Sequence, residues 1–365
     1  MPRTISIRAL GAVICIDGSA LSDEAWASAK TAWQDALIDP RVKAAPDATV
    51  AAHGTVSAAA MLSALSMDVT FAALEARAGQ LLMLHAAGLA TADGGVVVLA
   101  GPSGRGKTTA SRVLGRRFGY VSDESVGIAA DGIVLPYRKP LSLIESDHPL
   151  KTQRSPTELG LLTLPESSLR VAALVLLERS DDADEPRLQL VSAAEGIAGL
   201  AQQASYLGRL PTPLRTITSH IQAVGGVHRI TYRDSESLAP LIRELGARRR
   251  VSPRRVVAPA KPGSPTFTAP RRDATPRYRR VPVIDSLVLD DQQLVVLVQD
   301  EESTRIVILD GIAPTLWQNA AVPTSLAALV EAAVAAHGDP IGADAVALVT
   351  ASLADLTEAG LLVSV

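Results

Sequence analysis

Between residues 101 and 108 the chain reads Gly-Pro-Ser-Gly-Arg-Gly-Lys-Thr, directly after the β-branched run GVVVLA and directly before TASRVLGRRFG, which reads as a helix. Few octapeptides restrict a fold so tightly. Glycine removes the Cβ atoms that would stop backbone N–H groups turning inward around phosphate oxygens. A helix starting at the loop directs its positive end at the same anion. The pattern is the full Walker A motif in its required strand–loop–helix setting. It assigns Gly101, Ser103, Gly104, Arg105, Gly106, Lys107, Thr108 and Thr109 to a nucleotide site. Lys107 is placed to reach the terminal phosphates, and Thr108 to offer its hydroxyl to Mg²⁺. ATP is the expected nucleotide. Guanine is commonly read by an Asn-Lys-x-Asp motif, and the single asparagine here, Asn319, lies far along the chain.

Charge divides the 365 residues. Residues 247–280 carry eleven Arg/Lys, one Asp and six Pro, whereas residues 281–365 carry Arg305 alone against twelve Asp/Glu. The first stretch reads as a stiff, solvated linker of net charge +10, the second as an acidic unit of net charge −11. Aromatics make up 3% of the chain, too few to furnish stacking platforms for single strands, so no nucleic-acid partner is expected. The lone Cys15 excludes an intrachain disulfide framework and a multi-thiolate metal site. The uninterrupted apolar runs fall short of the roughly 20 residues that span a bilayer. The start reads as a strand rather than a signal peptide, so no membrane partner and a cytoplasmic location are expected.

Before the linker, an α/β pattern is expected. Residues 5–16 read as one strand. Ser22 can cap a helix on which Trp26, Ala29, Trp33, Ala36 and Leu37 share a face until Asp39-Pro40. A less decided alanine-rich stretch follows. Residues 81–90 and 95–100 then form strands around an Asp-Gly turn, a short strand covers 120–122, a second hairpin turns on Asp131-Gly132, and 171–178 reads as a buried strand. His148 and Lys151 fall in a polar, proline-marked loop that either contacts an acceptor or is an ordinary connection.

The run LHAAGLATADGGVVVLAGPSGRGKTTA followed by GYVSDESVGI resembles the catalytic domain of HPr kinase/phosphorylase, a P-loop serine kinase. The likeness spans about 95 residues from Leu81. The family's His-Gly and Asp-Asp correspond to His85-Ala86 and Asp123-Glu124 here, and its later Glu/Arg/Gly signature has an echo in Glu158-Leu-Gly160. The resemblance implies ATP and Mg²⁺ as cofactors, with Asp123 as the catalytic base, Glu124 as a metal ligand beside Thr108, and His85 near the γ-phosphate with Lys107. Phosphoryl transfer needs such a base in line with the phosphate. Structural readings stand beside these: Asp123 and Glu124 could cap a turn, and His85 could be a core histidine. Glu178, ending a buried strand, would instead be the Walker B acid of a hydrolysing ATPase.

After the linker, three short strands precede helices expected over 312–319, 325–337 and 343–359, the second capped by Thr324 and closed by Gly338. ILDGIAPTLW with LADLTEAGLL resembles PqqD-like domains, the winged-helix modules known as RiPP recognition elements. That resemblance implies capture of a leader peptide as an added strand. The edge would be Thr304, Arg305, Ile306, Val307, Ile308 and Leu309, and the groove wall Val346, Val349 and Leu353. Trp317 is expected to anchor the core.

The expected organisation is therefore an N-terminal α/β extension (1–80), an HPr-kinase-like P-loop domain (81–246), a basic linker (247–282) and a small α+β winged-helix domain (283–365). The expected function is phosphorylation of a hydroxyl on a ribosomally made precursor peptide, such as a lasso peptide. The alternatives are an ATP-hydrolysing peptide chaperone or regulator and a nucleotide-sensing adaptor. Self-association and a role for residues 1–80 beyond packing stay open.

Overall fold

The computed structural model describes residues 3–42, 44–54, 57–102, 104–143, 151–248, 276–300 and 303–365 of a mixed α/β protein. The chain divides into two compact units, Met1–Pro253 and Arg254–Val365.

The expected first strand is a hairpin. β1 (Thr4–Ala9) and β2 (Ala12–Asp17) pair antiparallel around Leu10 and Gly11, whose φ angles of 52° and 77° are both left-handed. Two-residue hairpins favour such turns because their twist matches the strands. Leucine is costly there, and its complete burial offsets the strain. The Oγ of Ser22 accepts from the Ala25 N–H at 3.2 Å and starts α1 (Asp23–Ala32). α1 stops before the expected end: a 3₁₀ turn over Gln34–Ala36 follows, Trp33 is buried and Leu37 is 44% exposed. β3 (Ala48–Ala51) runs parallel to β2. The undecided alanine-rich stretch is α2 (Ala58–Ala76), capped by Ser57. By length and composition α2 is long and apolar enough to cross a membrane, contrary to the expectation of no such segment. Here its Met61, Leu65, Val69 and Ala73 are buried in a core cluster with Trp33, Leu81, Met83 and Tyr137. Residues 1–80 thus share a core with the strand that follows them.

That strand, β4 (Leu82–Ala90), pairs antiparallel with β5 (Gly95–Ala100), which leads into α3 (Lys107–Leu114). β6 (Gly119–Ser122) and β7 (Ser125–Ile128) both pair with β4, and β8 (Val134–Leu135) completes the second expected hairpin. β9 (Leu141–Leu143) and β10 (Thr152–Arg154) form a separate ribbon. β11 (Arg170–Arg179) lies parallel to β5, and β12 (Arg187–Leu190) leads to α4 (Ala193–Ala201). β13 (Ala204–Ser205) pairs with β4. α5 (Pro213–Ala223), β14 (Val227–Tyr232) and α6 (Ala239–Gly246) complete the unit. The main sheet runs β12-β14-β11-β5-β4-β7-β8, with β14, β11 and β5 parallel. The near-continuous apolar sequences of β5 and β11 suit parallel strands covered on both faces. α3 and α6 pack Ala110, Leu114, Ile242 and Leu245 against Val97, Leu99, Val175 and Leu177.

An ion pair joins the first forty residues to the segment after β8. Arg138 donates to Asp35 Oδ1 at 3.1 Å and to the carbonyls of Tyr120 and Leu162, while Asp35 also accepts from the backbone and hydroxyl of Thr157. Both partners are largely buried, with side chains 9% and 7% exposed.

The second unit opens with β15 (Arg277–Arg280), residues expected in the linker. They pair with β19 (Thr324–Ser325) and β20 (Leu362–Ser364), once those are formed, and Arg280 lies over the Trp317 ring at 4.9 Å. Alternate arginines can leave a strand face for solvent while the backbone still pairs, which a purely compositional reading misses. β16 (Asp285–Val288), β17 (Leu294–Asp300) and β18 (Ser303–Leu309) form an antiparallel meander followed by α7 (Ala313–Asn319), α8 (Leu326–His337) and α9 (Ala345–Glu358). The cap of α8 is Ser325, accepting from the Ala328 N–H at 3.4 Å; the expected Thr324 donates instead to the carbonyls of Asn319 and Val322. Gly338 ends α8 at φ 81°. Trp317 is buried as expected.

Candidate active site

The phosphate loop begins where β5 ends, and its shape follows from its glycines. Gly104 and Gly106 adopt φ angles of 82° and 88°. At Gly106 a Cβ would fall 2.6 Å from the Oη of Tyr232, so a second argument for glycine is added to the backbone angle. Tyr232, the last residue of β14, donates from that Oη to the Arg105 carbonyl at 2.8 Å and ties the loop to a neighbouring strand. Lys107 is the first residue of α3 and is buried. Its Nζ donates to the carbonyls of Gly101 and, at 3.0 Å, Pro102. Ser103 lies outside the described residues, as does His148.

A cleft of about 550 Å³ opens at the loop. It brings together His85 of β4, Gly104, Gly106, Lys107, Thr108 and Thr109 of the loop and α3, and Asp123 and Glu124 between β6 and β7. Gly101 and Arg105 instead border a cavity of about 290 Å³ that shares no lining residue with the cleft, and Arg105 contributes its carbonyl to the loop through Tyr232. Glu178 borders that same cavity, where its carboxylate lies 3.4 Å from Arg229. The Walker B role considered for Glu178 is therefore displaced from the cleft. Glu158 bonds to Ser155 and does not line the cleft.

Asp123 is 4% exposed and accepts a hydrogen bond from Tyr120 Oη at 2.9 Å. Burial pushes its carboxyl above the usual carboxylate range, and the neighbouring Glu124 adds to the rise. The nearby Lys139 ammonium and the hydroxyls of Tyr120 and Thr108 pull the other way by favouring the charged form. Burial, with the charge of Asp123, raises Tyr120 well above its ordinary value, so it stays a donor. Lys107 is lowered by burial, partly countered by Asp123 and Glu124. His85 is lowered by burial and then by the Lys107 charge, which favours the neutral ring. Glu124 bonds to Lys139, whose side chain is only 4% exposed.

The sequence reading missed Arg112, Lys139, Ser142, Leu143 and Arg179 in this cleft; Lys151, weighed there as an acceptor contact, lines it. Arg179 had a usable signal, since it ends a parallel strand beside the loop, the sheet end where α/β folds bind ligands. Lys139 had none, because it reaches the cleft from the segment after β8. Five cationic side chains face two carboxylates here, a balance suited to a polyphosphate.

The residues fit ATP and Mg²⁺. A glycine cradle with a buried lysine suits phosphates, and the Thr108 hydroxyl beside two carboxylates is the hard-oxygen set that Mg²⁺ takes together with phosphate oxygens and water. Among the described residues no group of three His, Cys, Asp or Glu side chains could hold an ion unaided.

In the second unit, Val349 and Leu353 belong to the core, 2% and 0% exposed, and cannot form the expected groove wall. On α9 the exposed apolar residues are Val346 and Leu348, each 46% exposed. Among the described strands β18 pairs only with β17, leaving its other edge unpaired, with Arg305 and Ile308 exposed. Arg305 donates to the Ala359 carbonyl at 2.8 Å.

No family model and no curated protein matches the chain. Among solved structures, the Hpr(Ser) kinase/phosphatase from Coxiella burnetii is similar to it at 15% identity over 45% of this chain and 92% of that one, with a TM-score of 0.25.

Proposed function

We propose that the protein is an ATP-dependent kinase acting on a hydroxyl of a peptide, and that the second unit captures this peptide. The observation that carries the reading is the convergence of buried Asp123 with Lys107 and Thr108 in one cationic cleft. Lys107 exchanges its carbonyl partners for oxygens of the β- and γ-phosphates. Asp123 takes the proton of the incoming alcohol at a carboxylate oxygen, while Tyr120 fixes the other oxygen's orientation. A base held above the ordinary carboxylate range is the stronger for it, provided it is ionised at the working pH. Thr108, with Glu124, would hold Mg²⁺, which when bound would neutralise phosphate charge. Glu124 can do so only by sharing its carboxylate with Lys139. His85, neutral, can donate to a phosphate oxygen without adding charge.

For the peptide, the unpaired edge of β18 offers backbone hydrogen bonds to an added strand, with Ile308 on that strand as an apolar contact. Thr304, Arg305, Ile306, Val307 and Leu309 supply the rest of the edge, and Val346 the exposed apolar surface of α9. The acidic second unit favours a basic leader of a ribosomally made precursor peptide. ATP and Mg²⁺ supply places this chemistry in the cytoplasm.

The test is to incubate the full chain with ATP, Mg²⁺ and a precursor peptide and weigh the peptide. A phosphate mass gain that Asp123→Asn abolishes, with ATP binding retained, supports the kinase. ADP release without modified peptide would replace it by an ATP-driven chaperone, and no ADP at all by an adaptor.

A further inference from the structure

A polyphosphate lying across the start of α3, its last phosphate toward Asp123, must leave the cleft at its other end. There a cavity of about 470 Å³ adjoins it, sharing Gly106, Thr109 and Arg179 with the cleft. The cavity that contains Gly101 and Arg105 shares none. The adjoining cavity is lined by residues of α3 and by those that follow β14. Arg179, at the junction, is a cation. Val113, one turn along α3 from Thr109, and Tyr232 supply carbon surface. Asp234 and Glu236 add carboxylates, and Arg233, which also lines the cavity, lies 3.6 Å from that of Asp234. Carboxylates repel phosphate, yet they accept hydrogen bonds from neutral hydroxyl and amino groups. A cation where the cavity meets the cleft, together with apolar surface and hydrogen-bond acceptors, is the set of groups that a nucleoside attached to phosphates calls for.

We propose that this cavity binds the nucleoside of the ATP donor, with Val113 against the base and Asp234 and Glu236 accepting from its hydroxyl or amino groups. The proposal rests on the phosphate-loop reading above. The Tyr232 hydroxyl on the Arg105 carbonyl makes the cavity wall and the loop one piece, so a bound nucleoside and the phosphate cradle stay in register.

The experiment compares binding of Mg²⁺-ATP and Mg²⁺-tripolyphosphate by calorimetry, for the full chain and for Val113→Trp, which fills the cavity. ATP binding is expected to weaken about tenfold or more in the variant. Tripolyphosphate binding should stay within about twofold of wild type, as for a site apart from the phosphates. Should Val113→Trp not fold, the exposed Glu236→Ala decides instead, with ATP weakened about threefold and tripolyphosphate unchanged. ATP binding equal to wild type in the deciding variant, or equal weakening of both ligands, overturns the proposal. Lys107→Ala tests the underlying reading separately: it should lose both ligands. A wild-type chain that binds neither would remove the phosphate site itself.

Discussion

Around the phosphate loop the protein buries ionisable groups: Lys107, Asp123 and Lys139 each expose less than a tenth of their surface. The core of the second unit is made of Leu, Val, Ala and Trp, and among its described residues no polar or charged side chain is buried. Burying a charge is unfavourable unless it is paired, so the first unit holds its charges in place through Tyr120, Glu124 and the loop carbonyls. The second unit has only an ordinary core to maintain, and the partner proposed for it would meet main chain. In the function proposed above, one region acts through named side chains and the other through an unpaired edge. Substitutions should therefore separate chemistry from folding in the first unit and fail to do so in the second.

The sharpest break of that contrast is at Lys107. Lys107→Ala is expected to lower phosphoryl transfer by about a thousandfold or more while the second unit melts unchanged, measured by peptide mass and calorimetry. Asp123→Asn should lower transfer by about 10² to 10⁴ and leave ATP affinity near wild type, checked by single-turnover kinetics. In the second unit, Trp317→Ala should destabilise folding by about 3–5 kcal/mol, read from denaturant midpoints, without altering ATP affinity. Tyr120→Phe is subtler. Its hydroxyl favours the charged form of Asp123, so its loss raises that carboxyl further. The base must be deprotonated, so the acid limb of kcat/KM against pH moves to higher pH while the plateau changes little. Ser325→Ala, removing the α8 cap, should cost about 1 kcal/mol of second-unit stability alone.

What could be read from the sequence follows the same division. The loop, Asp123, Glu124 and His85 lie within 40 residues of one another, and local order alone brought them to one cleft. Arg179, Lys139 and Tyr232 arrive from other strands and segments, where the sheet order rather than sequence spacing makes them neighbours. The Leu10-Gly11 turn escaped notice because leucine seldom adopts a left-handed φ, and only its burial in the finished core makes the turn tolerable. On α9, periodicity grouped Val346, which is exposed, with the buried Val349 and Leu353, and period alone does not distinguish a face buried by its own unit from one kept for a guest. Val349 and Leu353 went to the core for that reason.

The Asp35–Arg138 bridge bears on how far the chain can be trimmed. Cutting away the first forty residues would take the Asp35 carboxylate from a buried guanidinium beside the Tyr120 carbonyl, three residues before Asp123. Removing one partner of a buried ion pair typically costs about 3–5 kcal/mol, so the loss would be felt at β6. The opening segment, remote in sequence from Lys107 and Asp123, is in this sense a foundation of the candidate site.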